Sequence, residues 1–265
     1  MYESLPVRQY RVKRPSMFHT LTEAPRALME LGYLVTSLPT LSLARRGDRH
    51  PLLLIPGFMA GDTSLALLKR YLRGLGYQPE TWGFGRNLGK PEHLFDHLPE
   101  RLMEMADRAG EPVSLIGQSL GGVFARELAR EFPEITRQVI TMGSPFGMQN
   151  DAFTLKALTK LYRVSSGRSI REMVELMRER EAHISPDVPM TAIYSRGDGV
   201  VHWGACREAE ENHHTQNIEV LGSHCGMGFN AMIYYIISDR LAQSVDQWKK
   251  FKMLPDFTGG CILRN

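Results

Sequence analysis

Unbroken apolar runs of about five residues alternate with amphipathic stretches through most of this chain. Pro51-Leu52-Leu53-Leu54-Ile55 has no polar side chain and stops at Pro56-Gly57. Pro112 to Ile116, Arg137 to Met142, Met190 to Tyr194 and Asn217 to Leu221 read as further strands, and Gln78 to Phe84 suggests another. Between them lie segments of helical spacing: Leu21 to Leu31 with Thr22 as its cap, Asp62 to Leu75, Pro91 to Ala109, Gly122 to Arg130, and Met227 to Leu241. In the third of these, Leu94, Leu98, Leu102 and Met105 fall on one face. Tyr33 to Leu43 is apolar but irregular, and Pro39 breaks it. Strands alternating with helices predict an α/β chain with a mostly parallel central sheet and helices on both faces.

The rhythm breaks once. From Met148 to Ser185 no strand is visible, and Leu155, Leu158, Leu161, Met173, Leu176 and Met177 recur at helical spacing. The expected organisation is an N-terminal extension over residues 1–48, a core over 49–147 and 187–265, and a small helical cap over 148–186. The cap residues suit either packing onto the body or holding an acyl chain, and both hold if the cap moves.

Composition narrows the class without naming a function. The chain has 265 residues, 43% of them hydrophobic and 23% charged, which allows a sizeable core in one large domain. The net charge of +3 is too small to point to nucleic acid. The basic residues Arg8, Arg11, Lys13 and Arg14, with Tyr10 between, suggest a solvated arm, with contact to an anionic membrane surface or nucleic acid as the alternative, and transient membrane or lipid contact is the partner expected. No apolar stretch is long enough to span a bilayer and no secretory signal is visible, so a cytoplasmic protein is expected. The three cysteines, Cys206, Cys225 and Cys261, are expected as free thiols, the rival being a Cys206–Cys225 disulfide.

The candidate chemistry sits just after the strands. Gly117-Gln118-Ser119-Leu120-Gly121 joins an apolar strand to a helix. Such a turn puts its middle residue in a strained conformation beside a helix N-terminus, which exposes the Ser119 hydroxyl. The five residues alone fit an ordinary tight turn equally well. An attacking serine also needs a base, and the base needs an acid to orient it. Asp198 lies in the Gly197-Asp198-Gly199 turn after one late strand, and His224 lies in Gly222-Ser223-His224 after the next. The order Ser, Asp, His, each at a strand end, is much harder to reach by chance than any single piece. His93 and His97 lack a metal-binding pattern and His213-His214 reads as solvated loop, so no metal is expected. Gly83 to Gly89 lacks dinucleotide-binding spacing and reads as a simple loop, with Arg86 or Asn87 as candidates for a pocket mouth.

With these pieces together, the chain resembles the α/β-hydrolase superfamily, in its lipase and esterase branch. The matching segments are Ile55-Pro56-Gly57-Phe58, Gly117 to Gly122, Gly143-Ser144-Pro145, Tyr194 to Val201 and Gly222-Ser223-His224. The resemblance implies an α/β-hydrolase fold and a serine hydrolase that cleaves carboxylic esters without a cofactor, on small-molecule or lipid acyl esters. It implies Ser119 as nucleophile, His224 as base and Asp198 as its orienting acid. It also implies oxyanion donors at the backbone N–H groups of Leu120 and Phe58, with Met59 as the neighbouring option. Pro56-Gly57 stands where many lipases carry His-Gly, which leaves open what braces that loop. An acyltransferase or thioesterase would use the same acyl-serine, and a non-catalytic binding protein would keep only the scaffold.

Overall fold

A computed structural model describes residues 13–147, 154–181, 184–244 and 247–252. Six strands form one parallel sheet: β1 (Pro51–Ile55), β2 (Gln78–Thr81), β3 (Val113–Gln118), β4 (Thr136–Met142), β5 (Met190–Tyr194) and β6 (Thr215–Glu219). Their order across the sheet is β2-β1-β3-β4-β5-β6. The chain therefore moves outward from β1 to β2 and then returns to β3 on the other side of β1. This reversal opens a crevice beyond the carboxyl ends of β1 and β3, where α/β sheets place their ligands.

Alternate residues of each strand feed two cores. Leu53, Ile55, Leu115, Val139 and Ala192 face α4 (Leu98–Ala109) and α5 (Leu120–Glu131). Leu52, Leu54, Ile116, Ile140 and Ile193 face α3 (Ala66–Gly74) and α8 (Ala231–Leu241), with α2 (Glu23–Leu41) packed on α8. The short α1 (Met17–Leu21) precedes α2, and α6 (Lys156–Ser166) and α7 (Ile170–Glu179) lie between β4 and β5. Tyr162, Met173 and Met177 from this last pair join the first core. Cys206 and Cys225 are free thiols; Cys261, like residues 148–153 of the expected cap, lies outside the described residues.

Several elements differ from the sequence expectation, each for a physical reason. The helix expected over Leu21 to Leu31 continues to Leu41, through the stretch expected to be irregular. Pro39 is tolerated because the carbonyl its missing N–H would have served belongs to Val35, which is exposed and open to water. Ala27, Leu34 and Leu41, seven residues apart, keep one seam buried throughout. Thr22 stands at the head of α2 but does not cap it, since its hydroxyl donates to the Phe18 carbonyl at 2.8 Å. β2 stops at Thr81 because positive φ angles at Gly83 and Gly85 turn the chain away. The helix expected from Asp62 begins as a 3-10 turn, Asp62–Leu65, and the last helix begins with another, Met227–Phe229. Asn230 caps α8, its side chain accepting from the Met232 and Ile233 N–H groups. The helical stretch before α4 is a π-turn over His93–His97.

β6 lies two residues earlier than expected, at Thr215–Glu219, with the polar Gln216 and Asn217 inside it. It is an edge strand, and Gln216 supplies part of the missing neighbour. Its Nε2 donates to the Phe251 carbonyl at 3.1 Å, and its Oε1 accepts from the Phe251 N–H at 2.6 Å. Unpaired edges invite association, and this contact covers one.

Two glycines predict opposite responses to the same substitution. A Cβ on Gly121 would overlap the Ile55 carbonyl oxygen and sit 2.6 Å from that of Pro56, both fixed backbone atoms, whereas a Cβ on Gly74 meets nothing. The helical preference for Ala, about 1 kcal/mol, acts at both sites. At Gly121 the clash outweighs it. Urea unfolding should show Gly121→Ala destabilised by at least about 2 kcal/mol and Gly74→Ala stabilised by up to about 1 kcal/mol.

Candidate functional site

Ser119 sits between β3 and α5 with φ 52° and ψ −124°, a conformation that side chains other than hydrogen disfavour. The turn closes only because its neighbours lack side chains. A Cβ on Gly117 would overlap the backbone of Gly121, and one on Gly122 would overlap the Ser144 hydroxyl. The Ser119 N–H is tied to the Met142 carbonyl at the end of β4, 2.8 Å away. The next residue, Leu120, opens α5, so its N–H is among those a helix leaves without an internal partner. No acidic residue occupies the first turn of α5, and the positive end of its dipole stays unneutralised.

Asp198 and His224 meet directly. Asp198 Oδ1 accepts from the Val200 and Val201 N–H groups at 2.8 and 2.7 Å, which aims Oδ2 at His224 Nδ1, 2.6 Å away. Both residues are buried. Burial opposes charge on the imidazole, but the Asp198 carboxylate and its hydrogen bond, helped by Glu23, outweigh it and raise the His224 pKa above its ordinary 6.5. The imidazole lies against the end of β4, where a Cβ on Gly143 would stand 3.2 Å from Nδ1. Gln118, the residue before Ser119, donates to the His224 carbonyl at 3.2 Å. The Ser119 N–H is thus fixed at the end of β4, and the Gln118 side chain links the serine turn to the His224 loop.

The loop after β1 lies against the serine: a Cβ on Gly57 would be 3.1 Å from Ser119 Cβ. The Phe58 N–H has no hydrogen-bond partner among the described residues, whereas the Met59 N–H is taken by the Asn87 carbonyl at 2.7 Å. Of the two N–H groups, only that of Phe58 is left unengaged within the described residues. The bracing that the sequence left open comes from Asn87, buried in the glycine-rich loop read as a plain connection. Its Nδ2 donates to the Pro56 carbonyl at 2.8 Å, its Oδ1 accepts from Gly89 at 3.0 Å, and its N–H donates to Ala60 at 2.8 Å. An amide both donates and accepts; neither Asp nor Leu could make this set. Arg86, the other candidate in that loop, is exposed.

A cavity of about 70 Å³ opens onto Ser119. Phe58, Leu120 and Pro145 line it, together with Leu158, Tyr162, Ile170 and Met173 of α6 and α7. The Tyr162 hydroxyl donates to the Gly89 carbonyl at 3.0 Å, and its ring fills the space a Gly89 side chain would need. The segment that braces the loop after β1 therefore also anchors α6.

Two further residues escaped the sequence analysis. Glu23 and Glu30 lie seven apart on α2, on the face turned to the body. Glu23 Oε1 accepts from the Gly199 N–H at 2.8 Å and the His224 N–H at 3.1 Å, while Oε2 accepts from Cys225 at 2.9 Å. Glu30 Oε1 accepts from the Ser223 N–H and hydroxyl, both at 2.7 Å, and Oε2 accepts from Asn230 at 2.9 Å. One carboxylate spans the Asp198 turn and the His224 loop; the other holds that loop's far end. Their seven-residue spacing was the available signal; Arg26, whose Nη2 donates to Glu23 Oε1 at 3.0 Å, makes Glu23 read as half of an ordinary i,i+3 pair. His93 packs against Phe84 and Trp82 and His97 against Phe84, and among the described residues no cluster of His, Cys, Asp and Glu has the makings of a metal site.

No family model and no curated protein matches the chain. Solved structures do. Lipase B of Aspergillus fumigatus superposes with a TM-score of 0.58 at 13% identity, over 74% of this chain and 53% of that one. This chain thus spans about half the length of that lipase. The mature lipase BlEst2 of Bacillus licheniformis gives 0.57 at 13% identity, over 76% and 95%. A thioesterase domain from the curacin biosynthetic pathway gives 0.51 at 12% identity, over 76% and 93%. The parallel six-stranded sheet with helices on both faces, taken with these superpositions, identifies the chain as having the α/β-hydrolase fold.

Proposed function

We propose that this protein is a serine hydrolase that cleaves carboxylic esters through an acyl-enzyme. One observation carries the reading: a serine held at φ 52° opens into an apolar cavity beside a buried Asp198–His224 pair. Strain of this kind costs about 1–3 kcal/mol and persists where it serves a site.

The chemistry follows from the roles. His224 takes the proton from Ser119 as Oγ attacks the ester carbonyl carbon, and Asp198 stabilises the imidazolium. The carbonyl oxygen becomes an oxyanion, which the Leu120 and Phe58 N–H groups stabilise. As the C–O bond to the alcohol breaks, His224 returns the proton to the leaving oxygen. Water then attacks the acyl-serine, His224 taking its proton and returning it to Ser119 Oγ, and the free acid departs. The imidazole must be neutral to begin, so the raised His224 pKa places the acid limb of kcat/KM above pH 6.5. The apolar lining favours the acyl group over the alcohol as the buried part of the substrate. In this reading residues 148–186 form the cap, and α6 and α7 cover the acyl site. The lipases and the thioesterase among the superposed structures support acyl transfer to water as the reaction class.

A panel of p-nitrophenyl esters of increasing acyl length tests the proposal. Wild-type protein should release nitrophenol and acid, and Ser119→Ala should lower kcat by at least about a thousandfold. Hydrolysis that survives Ser119→Ala unchanged would refute the assignment.

Glu23→Gln separates positioning from packing. A glutamine cannot accept from the Gly199, His224 and Cys225 N–H groups through two oxygens, so the base loses its alignment. Removing the negative charge also lowers the His224 pKa. We expect kcat to drop about tenfold with KM little changed, and the acid limb to move to lower pH. An unchanged pH profile would show that Glu23 only packs.

A further inference from the structure

The outward side of α2 is apolar along its length. Leu28, Met29, Tyr33 and Val35 are 58–74% exposed, and Met17, Phe18 and Leu21 of α1 extend the strip, each at least 69% exposed. Single exposed hydrophobic residues mean little, but a continuous strip marks a docking surface. No charged residue occurs from Leu31 to Ala44. The two acids of α2, Glu23 and Glu30, point into the body as described above.

Most hydroxyls along these helices are already satisfied. The Thr36 and Ser37 hydroxyls donate to the Tyr33 carbonyl at 2.9 and 2.8 Å, and Ser42 donates to Pro39 at 2.6 Å. Thr22 donates to Phe18. Hydroxyls turned back on the helix need no water, which lowers the cost of leaving it. Cations frame the strip: exposed Lys13 and Arg14 precede it, and exposed Arg45, Arg46 and Arg49 follow it.

We propose that α1 and α2 form a docking surface for an anionic lipid bilayer, lying at the boundary of headgroups and acyl chains, where water still reaches the Val35 carbonyl that Pro39 leaves free, with the flanking cations at the headgroups. An amphipathic element with apolar bulk on one side and basic residues at its margins binds such surfaces. A second copy of this chain fits less well. A two-fold pairing through the strip brings Lys13 and Arg14 against their own kind or against Arg45 and Arg46, and the one acid beside them, Asp48, is already engaged by Arg137 and His50. Among the described residues no helix is long and apolar enough to cross the membrane, so the element lies on it rather than through it.

The position of the strip gives the docking a consequence. The inner face of α2 grips the His224 loop, Thr20 of α1 donates to the Gly199 carbonyl at 2.6 Å, and Arg14 donates to Thr154, which lines the cavity. A bilayer bound here lies beside the rim of the cavity. The docking itself does not depend on the esterase reading and is measured without activity.

Co-sedimentation of the full chain with vesicles tests it, using phosphatidylcholine alone or mixed with phosphatidylglycerol. Binding should be at least about tenfold stronger to the mixed vesicles and should weaken as salt shortens the Debye length below about 10 Å. The pair Leu28→Glu and Val35→Glu should reduce it at least about tenfold. Arg45→Gln with Arg46→Gln should reduce both the affinity and its salt dependence. Thermal unfolding, with Tm unchanged, shows that each variant folds. Binding to neither vesicle, or binding indifferent to Leu28→Glu and Val35→Glu, would overturn the proposal. So would a dimer in sedimentation velocity that these two substitutions dissociate, since the strip would then serve self-association.

Discussion

The backbone at Ser119 is the constraint on which the rest of the site depends. With φ at 52° and ψ at −124° the chain reverses from strand to helix in one residue, and three elements must come unusually close to hold it there. Gly117 touches the start of α5, Gly121 touches the end of β1, and Gly122 touches Ser144 after β4. None of these approaches leaves room for a Cβ. The strain is kept because α5 is buried on nearly every side between the sheet and its neighbours. Packing that α5 makes with β1, β3 and β4 offsets the local cost, so the conformation of Ser119 is a property of the whole layer.

Around this turn the polar groups are arranged to leave few free choices. Asp198 has one oxygen committed to backbone and one to His224, so the carboxylate cannot rotate away without losing three hydrogen bonds. Asn87 fixes the loop after β1 while Gly89 beside it receives Tyr162 from α6. The two carboxylates of α2 fix the His224 loop from behind. The N-terminal helix is therefore structurally continuous with His224 and Asp198, although it precedes the core in sequence. In the proposed reading this ties the alignment of the proton relay to whatever surface covers the outside of α2.

What the sequence revealed follows from how local each signal is. β1, β3, β4 and β5 are buried on both faces, so their apolar runs needed no partner to be read. β6 is an edge strand whose polar Gln216 is satisfied by Phe251, and its register was misplaced by two residues because that partner is distant in sequence. Ser119, Asp198 and His224 each follow a strand, and their order carried the resemblance. Asn87, Glu23 and Glu30 matter through tertiary hydrogen bonds that span from about 30 to 200 residues of chain. Most of the groups these carboxylates hold lie far along the chain, and the one nearby cation, Arg26, pairs with Glu23 at i+3 and reads in the sequence as an ordinary helix-surface pair. Pro39 misled in the opposite direction: its helix-breaking effect is weak where the freed carbonyl faces water.

The central claim is that Ser119 is a nucleophile activated by its surroundings rather than a surface hydroxyl in a tight turn. Covalent labelling of the folded protein with a fluorophosphonate, read by intact mass and peptide mapping, tests this without choosing a substrate. The account predicts one phosphonyl adduct per chain, on Ser119, forming at neutral pH and abolished by prior unfolding or by His224→Ala. A folded wild-type protein that remains unlabelled, or an adduct that maps to another residue, would contradict it.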